Sequence, residues 1–272
     1  MPKLKVGLAL GGGAARGIAH IGVLTVLEKE GIPIDLIAGT SVGAAVGAFY
    51  ARSKNADLIK EKAIELSGRR LTQFIDPALP RTGLVKGKKL SDLLTSLLDG
   101  NIQFSNLLMP FACTASDIDT GEAVVLDRGS VVEAVRASIS LPGIFTVVKR
   151  RGRNLVDGGL TNPVPVSLAL EMGADFIIAV NVIPDVLDRT HQSVKRSTKS
   201  DKEPNILHVL VQSIHIGTYS LVRSSLERAN VVIEPDVAHI GAGDYHHARE
   251  CIQQGEVAAQ KAVPEIRNGL KI

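Results

Sequence analysis

The amino-acid sequence predicts an α/β protein in which helices cover both faces of a mostly parallel sheet, giving a three-layer α/β/α sandwich. Short apolar runs that fit buried strands alternate along the chain with longer segments of helical periodicity. The hydrophobic content of 45% is that of a globular protein, and 272 residues suffice for a sizeable core. No internal repeat and no clear domain boundary interrupts the alternation.

The first half of the chain begins with a buried strand. An apolar run predicts this strand over 3–10, and a helical pattern starts at position 14 and ends at Gly31. Apolar runs then predict strands at 34–38, 111–115 and 123–126, and helical spacing predicts helices at 41–52, 56–66 and 89–98.

The second half continues the alternation. Pro142 follows a helix predicted at 130–138, and the strands 145–148 and 153–156 form a predicted hairpin with a basic tip. Further helices are expected at 164–171, 206–228 and 244–268, and further strands at 175–182 and 231–234. Residues 68–88 and 184–204 are lid candidates on composition alone.

The charge balance disfavours nucleic acid as a partner. Lys and Arg number 31 and Asp and Glu 28, a net charge of +3, and only 3% of residues are aromatic. Two basic runs, 149–153 and 195–199, are interpreted as solvated loop or hairpin tips. The alternative is contact with anionic lipid head groups, which would make the protein peripheral to a membrane.

Cysteine usage and hydropathy indicate a cytoplasmic protein. Cys113 and Cys251 give no disulfide framework, and neither lies in a Cys/His cluster, so no structural metal and no cofactor is expected. The uncharged stretch 36–51 falls short of the roughly 20 apolar residues of a membrane span. The first apolar run meets three glycines and then Arg16, which does not fit a signal peptide.

A glycine-rich loop follows the first predicted strand. It reads Gly11-Gly12-Gly13-Ala14-Ala15-Arg16-Gly17, at the carboxyl end of the strand and before a helical segment. Glycines let main-chain N–H groups approach a ligand closely, and a helix start adds a positive dipole. The loop therefore suits a phosphate cradle or an oxyanion hole. Neither a Walker loop nor a dinucleotide fingerprint fits its spacing, which disfavours a nucleotide-binding enzyme.

A second motif lies between the strand at 34–38 and the next helix. Gly39-Thr40-Ser41-Val42-Gly43 matches G-x-S-x-G in the strand–turn–helix context of a nucleophile elbow. The flanking glycines relieve crowding around a serine in a strained turn, and the helix start stabilises negative charge near its oxygen. The alternative is a purely structural role, in which the serine only caps the helix. Ser41 is the candidate nucleophile.

A serine nucleophile needs a base, and none of the seven histidines lies at a clear strand end. His20, on the helix after the glycine loop, is the histidine most worth testing. A third motif, Asp157-Gly158-Gly159, ends an apolar strand and can present a carboxylate to the site. Alone, this motif would be interpreted as an ordinary Asp-Gly turn.

Together and in this order, the three motifs resemble the patatin-like phospholipase family. The resemblance covers roughly residues 5–182 and includes the stretches 19–24 and 137–145. It is closest to short bacterial members and to the esterase domain of neuropathy target esterase. One departure is Ala14, where the family commonly has glycine. The resemblance implies a patatin-like fold, with 5–182 as the catalytic core and 183–272 as an extension packed on the same domain.

The resemblance also implies a Ser–Asp dyad, with Ser41 as nucleophile and Asp157 as base. Main-chain N–H groups of Gly12, Gly13 and Ala14 would form the oxyanion hole, and Arg16 would brace the loop. The expected function is hydrolysis of a lipid or simple ester through an acyl-enzyme, of phospholipase A, lysophospholipase or esterase type. Acyl transfer on the same dyad, and a non-catalytic regulator on the same fold, remain open, as do the natural substrate and the oligomeric state.

Overall fold

The computed structural model describes residues 4–68, 76–79, 82–183 and 206–272, with the main chain alone for residues 207 and 208. Its strands are β1 (Val6–Leu10), β2 (Leu36–Thr40), β3 (Gly83–Val85), β4 (Phe111–Asp117), β5 (Ala123–Leu126), β6 (Gly143–Phe145), β7 (Val148–Arg150), β8 (Arg153–Asp157), β9 (Phe176–Val180) and β10 (Val231–Ile233). Its α-helices are α1 (Ala19–Lys29), α2 (Val42–Ser53), α3 (Ala56–Ser67), α4 (Lys88–Leu97), α5 (Val131–Ser138), α6 (Val166–Glu171), α7 (Ile206–Gly217), α8 (Tyr219–Leu226) and α9 (Ala248–Leu270).

Within the described residues, eight strands form one sheet in the order β10-β9-β1-β2-β4-β8-β7, with β5 also paired to β4. The five strands from β10 to β4 run parallel to one another. β5 and β8 are antiparallel to β4, and β7 is antiparallel to β8. The prediction of a mostly parallel sheet is therefore confirmed.

Helices cover both faces of this sheet. Successive side chains of a strand point to opposite faces, so Leu8 and Leu10 of β1 pack in one core, whereas Ala9 packs in the other. The first core includes side chains of α1, α2, α5 and α9, and the second includes side chains of α6 and α8. Burial from both sides explains why the parallel strands are almost uniformly apolar. The three-layer sandwich is confirmed.

The C-terminal part of the chain adds a strand to the sheet and a helix to the first core. β10 extends the sheet beside β9, and α9 lies against α1. The two helices touch at their backbones: a Cβ atom on Gly22 would lie 1.9 Å from the carbonyl oxygen of Ile252, and one on Gly255 would lie 2.0 Å from that of Ala19. Only glycine allows this approach. No helix in the described ranges combines the length and apolar character that crossing a membrane requires.

Several predicted elements differ in the structure. The helix expected from position 14 starts as a 3-10 helix, Ala14–Ile18, and becomes α1 only at Ala19. The helix expected over 206–228 is divided into α7 and α8 at Thr218, whose hydroxyl donates to the carbonyl of Ile214. Such a side-chain bond to the preceding turn competes with the regular helix pattern.

The predicted hairpin is shifted along the chain. Its strands are β7 and β8, joined through Arg151 and Gly152, both at positive φ. Phe145, the residue expected to start it, ends β6 instead, and β6 pairs with β3 in a separate two-stranded sheet. β3 itself lies within the lid candidate 68–88, whereas the candidate 184–204 and the basic run 195–199 lie outside the described residues.

Candidate active site

The sheet register places the ends of β2 and β8 against each other. β4 pairs with β5 along one edge, so β2 and β8 share its other edge, one after the other. β2 runs parallel to β4 and ends with Thr40 opposite Thr114. β8 runs antiparallel and ends with Asp157 opposite Ala115, the next position of β4. The two carboxyl ends therefore meet head to head, which brings two distant motifs together.

Ser41 is the sharp turn between β2 and α2. Its main chain has φ 53° and ψ −123°, a strained conformation for a non-glycine residue. The turn fits closely against β1, because a Cβ atom on Gly43 would lie 2.3 Å from the carbonyl oxygen of Leu10. Gly39, on the other side of Ser41, similarly has no room for a Cβ beside Ala44. Ser41 thus lies in a sharp strand–turn–helix junction with a closely packed glycine on each side.

The Ser41 hydroxyl donates a hydrogen bond of 2.7 Å to Oδ2 of Asp157. The second carboxylate oxygen, Oδ1, accepts the N–H of Gly159 at 2.8 Å, while Gly158 begins a short 3-10 helix. Asp157 is only 6% exposed, and burial raises its pKa to about 6 although both hydrogen bonds favour the charged form. A raised pKa makes this carboxylate a stronger base than an exposed aspartate.

The C-terminal end of α5 contacts both residues. Ser138 Oγ accepts the main-chain N–H of Ser41 at 2.8 Å. The carbonyl of Ser140 accepts the main-chain N–H of Asp157 at 2.9 Å. Sequence reasoning assigned no role to these two serines. The signal available was two serines just before Pro142, at the end of a helix whose other polar residues are charged.

The glycine-rich loop lies beside Ser41, since a Cβ atom on Gly12 would lie 3.5 Å from the Cβ of Ser41. One of the three expected oxyanion donors is already engaged: the N–H of Gly12 donates to the carbonyl of Pro163 at 2.9 Å. The expectation for Gly12 is therefore corrected. Among the described residues, the N–H groups of Gly13 and Ala14 have no hydrogen-bond acceptor.

The rest of the loop is fixed to the C-terminal part of the chain. Nε of Arg16 donates to the carbonyl of Ile240 at 2.7 Å, and the N–H of Ala15 donates to the carbonyl of Ala242 at 3.1 Å. Gly17 packs directly against the side chain of Val42, the residue after the candidate nucleophile. The bond from Arg16 to Ile240 therefore connects the glycine-rich loop to the C-terminal part of the chain.

His20 is fully buried behind the loop. Its Nε2 lies 2.7 Å from the carbonyl oxygen of Gly11, and since a carbonyl only accepts, Nε2 carries the hydrogen. The N–H of Gly11 in turn donates to the carbonyl of Val180. Burial lowers the pKa of His20 to about 4. The imidazole thus holds the loop, while the Ser41 hydroxyl is bonded to Asp157.

The charge environment of Asp157 is sparse. In the described part of the chain, no Lys, Arg or His side chain forms an ion pair with it. Desolvation of its hydroxyl, and next the charge of Asp157, raise the pKa of Tyr245, although 37% of this residue is exposed. Sequence reasoning did not single out Tyr245. No group of three or more His, Cys, Asp or Glu in the described ranges is arranged to hold a metal ion.

Comparison with known proteins relates the chain to a family. Residues 8–170 match the family model described as patatin-like phospholipase. An NTE family protein of Mycobacterium tuberculosis is 33% identical over 229 residues, which cover 82% of this chain and 61% of that protein. Lysophospholipase NTE1 of Meyerozyma guilliermondii is 29% identical over 275 residues, covering 94% of this chain and 19% of that protein.

The fold is also found among solved structures. The crystal structure of VipD from Legionella pneumophila superimposes with a TM-score of 0.64 at 13% identity, covering 97% of this chain and 67% of VipD. This likeness concerns the fold alone. The chain spans less than two thirds of the length of the two curated relatives described above. The family model nevertheless matches more than half of this chain, and the chain belongs to the patatin-like phospholipase family.

Proposed function

We propose that this protein is a serine acyl hydrolase that cleaves lipid-like carboxylic esters through a dyad of Ser41 and Asp157. The observation that carries the proposal is the 2.7 Å hydrogen bond between Ser41 Oγ and Asp157 Oδ2, made by a serine in a strained elbow. A nucleophile bonded directly to a buried carboxylate of raised pKa has the geometry that general-base activation requires.

Acylation starts when Asp157 Oδ2 takes the Ser41 proton and Ser41 Oγ attacks the ester carbonyl carbon. The tetrahedral intermediate carries its negative charge on the former carbonyl oxygen. Collapse of this intermediate breaks the ester bond, and the protonated Asp157 gives its proton to the departing alkoxide. An alcohol leaves, and the acyl group stays on Ser41.

Deacylation repeats the same steps with water. Asp157 removes a proton from water, the hydroxide attacks the acyl-enzyme, and the proton returns to Ser41 Oγ as the carboxylic acid departs. The same carboxylate acts as base and then as acid in each half-reaction, so the dyad needs no third member. The hydrogen bond from Gly159 to Oδ1 keeps Oδ2 directed at Ser41 throughout.

The oxyanion in this scheme is bound by the N–H groups of Gly13 and Ala14. Both lie in the loop beside Ser41, and in the part of the chain that the structure describes neither has an acceptor. An oxyanion donor contributes about 10²–10³ in rate. Arg16 and His20 hold the two ends of this loop, through Ile240 and Gly11 respectively, and so keep the donors aimed at the reacting carbonyl.

The family supports a substrate class. One relative is named a lysophospholipase and the family model a phospholipase, which supports a glycerophospholipid or lysophospholipid as substrate. Such substrates reside in membranes, so we further propose that the protein works in peripheral contact with a lipid surface.

A single substitution tests the proposal. Ser41→Ala should abolish hydrolysis of a panel of soluble esters, phospholipids and lysophospholipids, and should abolish covalent labelling by a fluorophosphonate probe. Ser53→Ala is the matched control, because Ser53 lies at the far end of the same helix, where its hydroxyl donates to the carbonyl of Phe49 and accepts the N–H of Asn55. Persistent labelling of Ser41→Ala, or a wild type inert towards probe and panel, would contradict the proposal.

A further inference from the structure

The turn at the end of α5, Ser138-Ile139-Ser140, reaches the backbones of both proposed catalytic residues. Ser138 and Ser140 are each 0% exposed. Ser138 Oγ accepts the N–H of Ser41, and the Ser140 carbonyl accepts the N–H of Asp157. A single short segment thus contacts two residues that are 116 positions apart in the sequence.

The N–H of Ser41 depends on this side-chain acceptor. With φ 53° and ψ −123°, the carbonyl of Ser41 accepts the N–H of Ala45 at the start of α2, but the N–H of Ser41 bonds neither in the ladder of β2 nor within α2. A buried N–H without a partner is destabilising, and a strained turn relaxes unless its surroundings hold it. The elbow conformation leaves the N–H of Ser41 without a main-chain acceptor, and Ser138 Oγ is the acceptor that it uses instead.

The turn is itself anchored. Ser140 Oγ donates to the carbonyl of Arg136 and accepts from Nη1 of the same residue. Nη2 of Arg136 donates to the carbonyl of Lys86, and its guanidinium lies 4.9 Å from the centre of the Phe145 ring. Arg136 is only 5% exposed, so these bonds are shielded from water. The turn can therefore act as a fixed reference for the residues bound to it.

We propose that Ser138 is a positioning residue, which holds the Ser41 main chain in the elbow so that Oγ stays within hydrogen-bond distance of the Asp157 carboxylate fixed by Ser140. This role deepens the proposed hydrolase function and rests on it. The pairing with β4 brings the two strand ends together, and the turn at the end of α5 then holds both backbones so that Ser41 Oγ stays within bonding distance of Asp157 Oδ2. Loss of the Ser138 hydroxyl should therefore slow the chemistry without weakening substrate binding.

The test compares the two ends of the same helix. Ser130 caps the start of α5 by accepting the N–H of Glu133, so Ser130→Ala also removes a hydrogen bond that stabilises α5. For Ser138→Ala, we expect kcat on a soluble ester and the rate of fluorophosphonate labelling to fall about 10- to 100-fold, with KM unchanged. For Ser130→Ala, both kinetic constants should stay at the wild-type values for the folded enzyme.

A third variant keeps the test valid if Ser138→Ala does not fold. Ser138→Cys keeps the size of the side chain but offers a weak acceptor, so its kcat should lie between those of wild type and Ser138→Ala. Thermal unfolding and active-site titration correct each rate for the folded fraction. If kcat of Ser138→Ala equals that of Ser130→Ala, the positioning role is overturned. If the alanine variant does not fold, Ser138→Cys takes its place in this comparison. An inactive wild type would instead refute the hydrolase function on which this role depends.

Discussion

The hydroxyl of Ser41 and the carboxylate of Asp157 form a 2.7 Å hydrogen bond because two strands end opposite consecutive residues of a third strand. Thr114 and Ala115 of β4 fix the ends of β2 and β8, respectively, so the main-chain ladder itself sets the approach. A catalytic pair built on strand ends is held more rigidly than one carried by long loops. Substitutions within the pair should thus change chemistry more than structure.

Asp157→Asn should keep the fold and lose the activity. Asparagine has the same shape and can still accept the Gly159 N–H, but it cannot take the Ser41 proton. Loss of a general base costs about 10²–10⁴ in rate, which steady-state kinetics on a soluble ester would measure. Asp117→Asn is the matched control, since Asp117 is equally buried but paired with Arg153. Retained activity in Asp157→Asn would point to another base.

The same substitution should stabilise the protein at neutral pH. The pKa of Asp157 rises from 3.8 to about 6 on folding, so its contribution to stability is full below pH 3.8 and lost as pH rises through 6. Asparagine carries no charge and avoids this loss. The free energy of unfolding of Asp157→Asn should exceed that of wild type by about 3 kcal/mol at pH 8, and the difference should vanish near pH 4. Urea denaturation at both pH values measures it, and a variant less stable at pH 8 would be the contrary result.

The pH dependence of hydrolysis should follow the ionisation of Asp157. Only the charged carboxylate can take a proton, so kcat/KM should rise with pH through about 6 and level off above it. At pH 5 the rate should be about one tenth of the plateau. The profile should persist in His20→Gln, because His20 bonds to Gly11 and not to the nucleophile. If the rise of kcat/KM with pH disappears in His20→Gln, the histidine is the base.

His20 should make the protein sensitive to acid. Its pKa falls from 6.5 to about 4 on folding, so its contribution to stability is present above pH 6.5 and is lost as pH falls through 4. The loss amounts to about 3 kcal/mol once the imidazole is protonated in both states. Unfolding followed by circular dichroism between pH 7 and 4 should show a steeper decline for wild type than for His20→Gln. Parallel declines would contradict a buried neutral imidazole.

The turns around Ser41 and Asp157 could be predicted because their motifs describe local backbone chemistry. A glycine on each side of a serine, or an aspartate before two glycines at a strand end, reports a turn that the neighbouring residues alone determine. The alternation of strands and helices is local in the same sense. The sheet and these turns therefore needed no knowledge of distant contacts, whereas Asp157 was expected as the base only because the three motifs together resemble the family.

The remaining features depend on contacts between distant parts of the chain. The N–H of Gly12 is taken by Pro163, and Arg16 bonds to Ile240, 224 residues away. Nothing local to the glycine loop signals either partner. The shift of the hairpin has the same origin, because Phe145 belongs to β6 and pairs with Val85 of β3. Such pairings follow from the assembled fold and not from the propensity of a short segment.

Ala14 offers a test of the loop on stability alone. Its φ of 52° lies in the left-handed region, where an alanine Cβ costs about 1–2 kcal/mol and glycine costs nothing. Ala14→Gly should therefore raise the free energy of unfolding, by up to about 1 kcal/mol after the greater chain entropy of unfolded glycine is included.

The neighbouring residue provides the opposite expectation. Ala15 is fully buried in the same 3-10 helix and has no left-handed φ. Ala15→Gly relieves no strain and adds freedom to the unfolded chain, so it should destabilise by about 1 kcal/mol. Urea unfolding of the two variants thus predicts shifts of opposite sign at adjacent positions. If both variants lose stability equally, the strained conformation of Ala14 is not a feature of the folded loop.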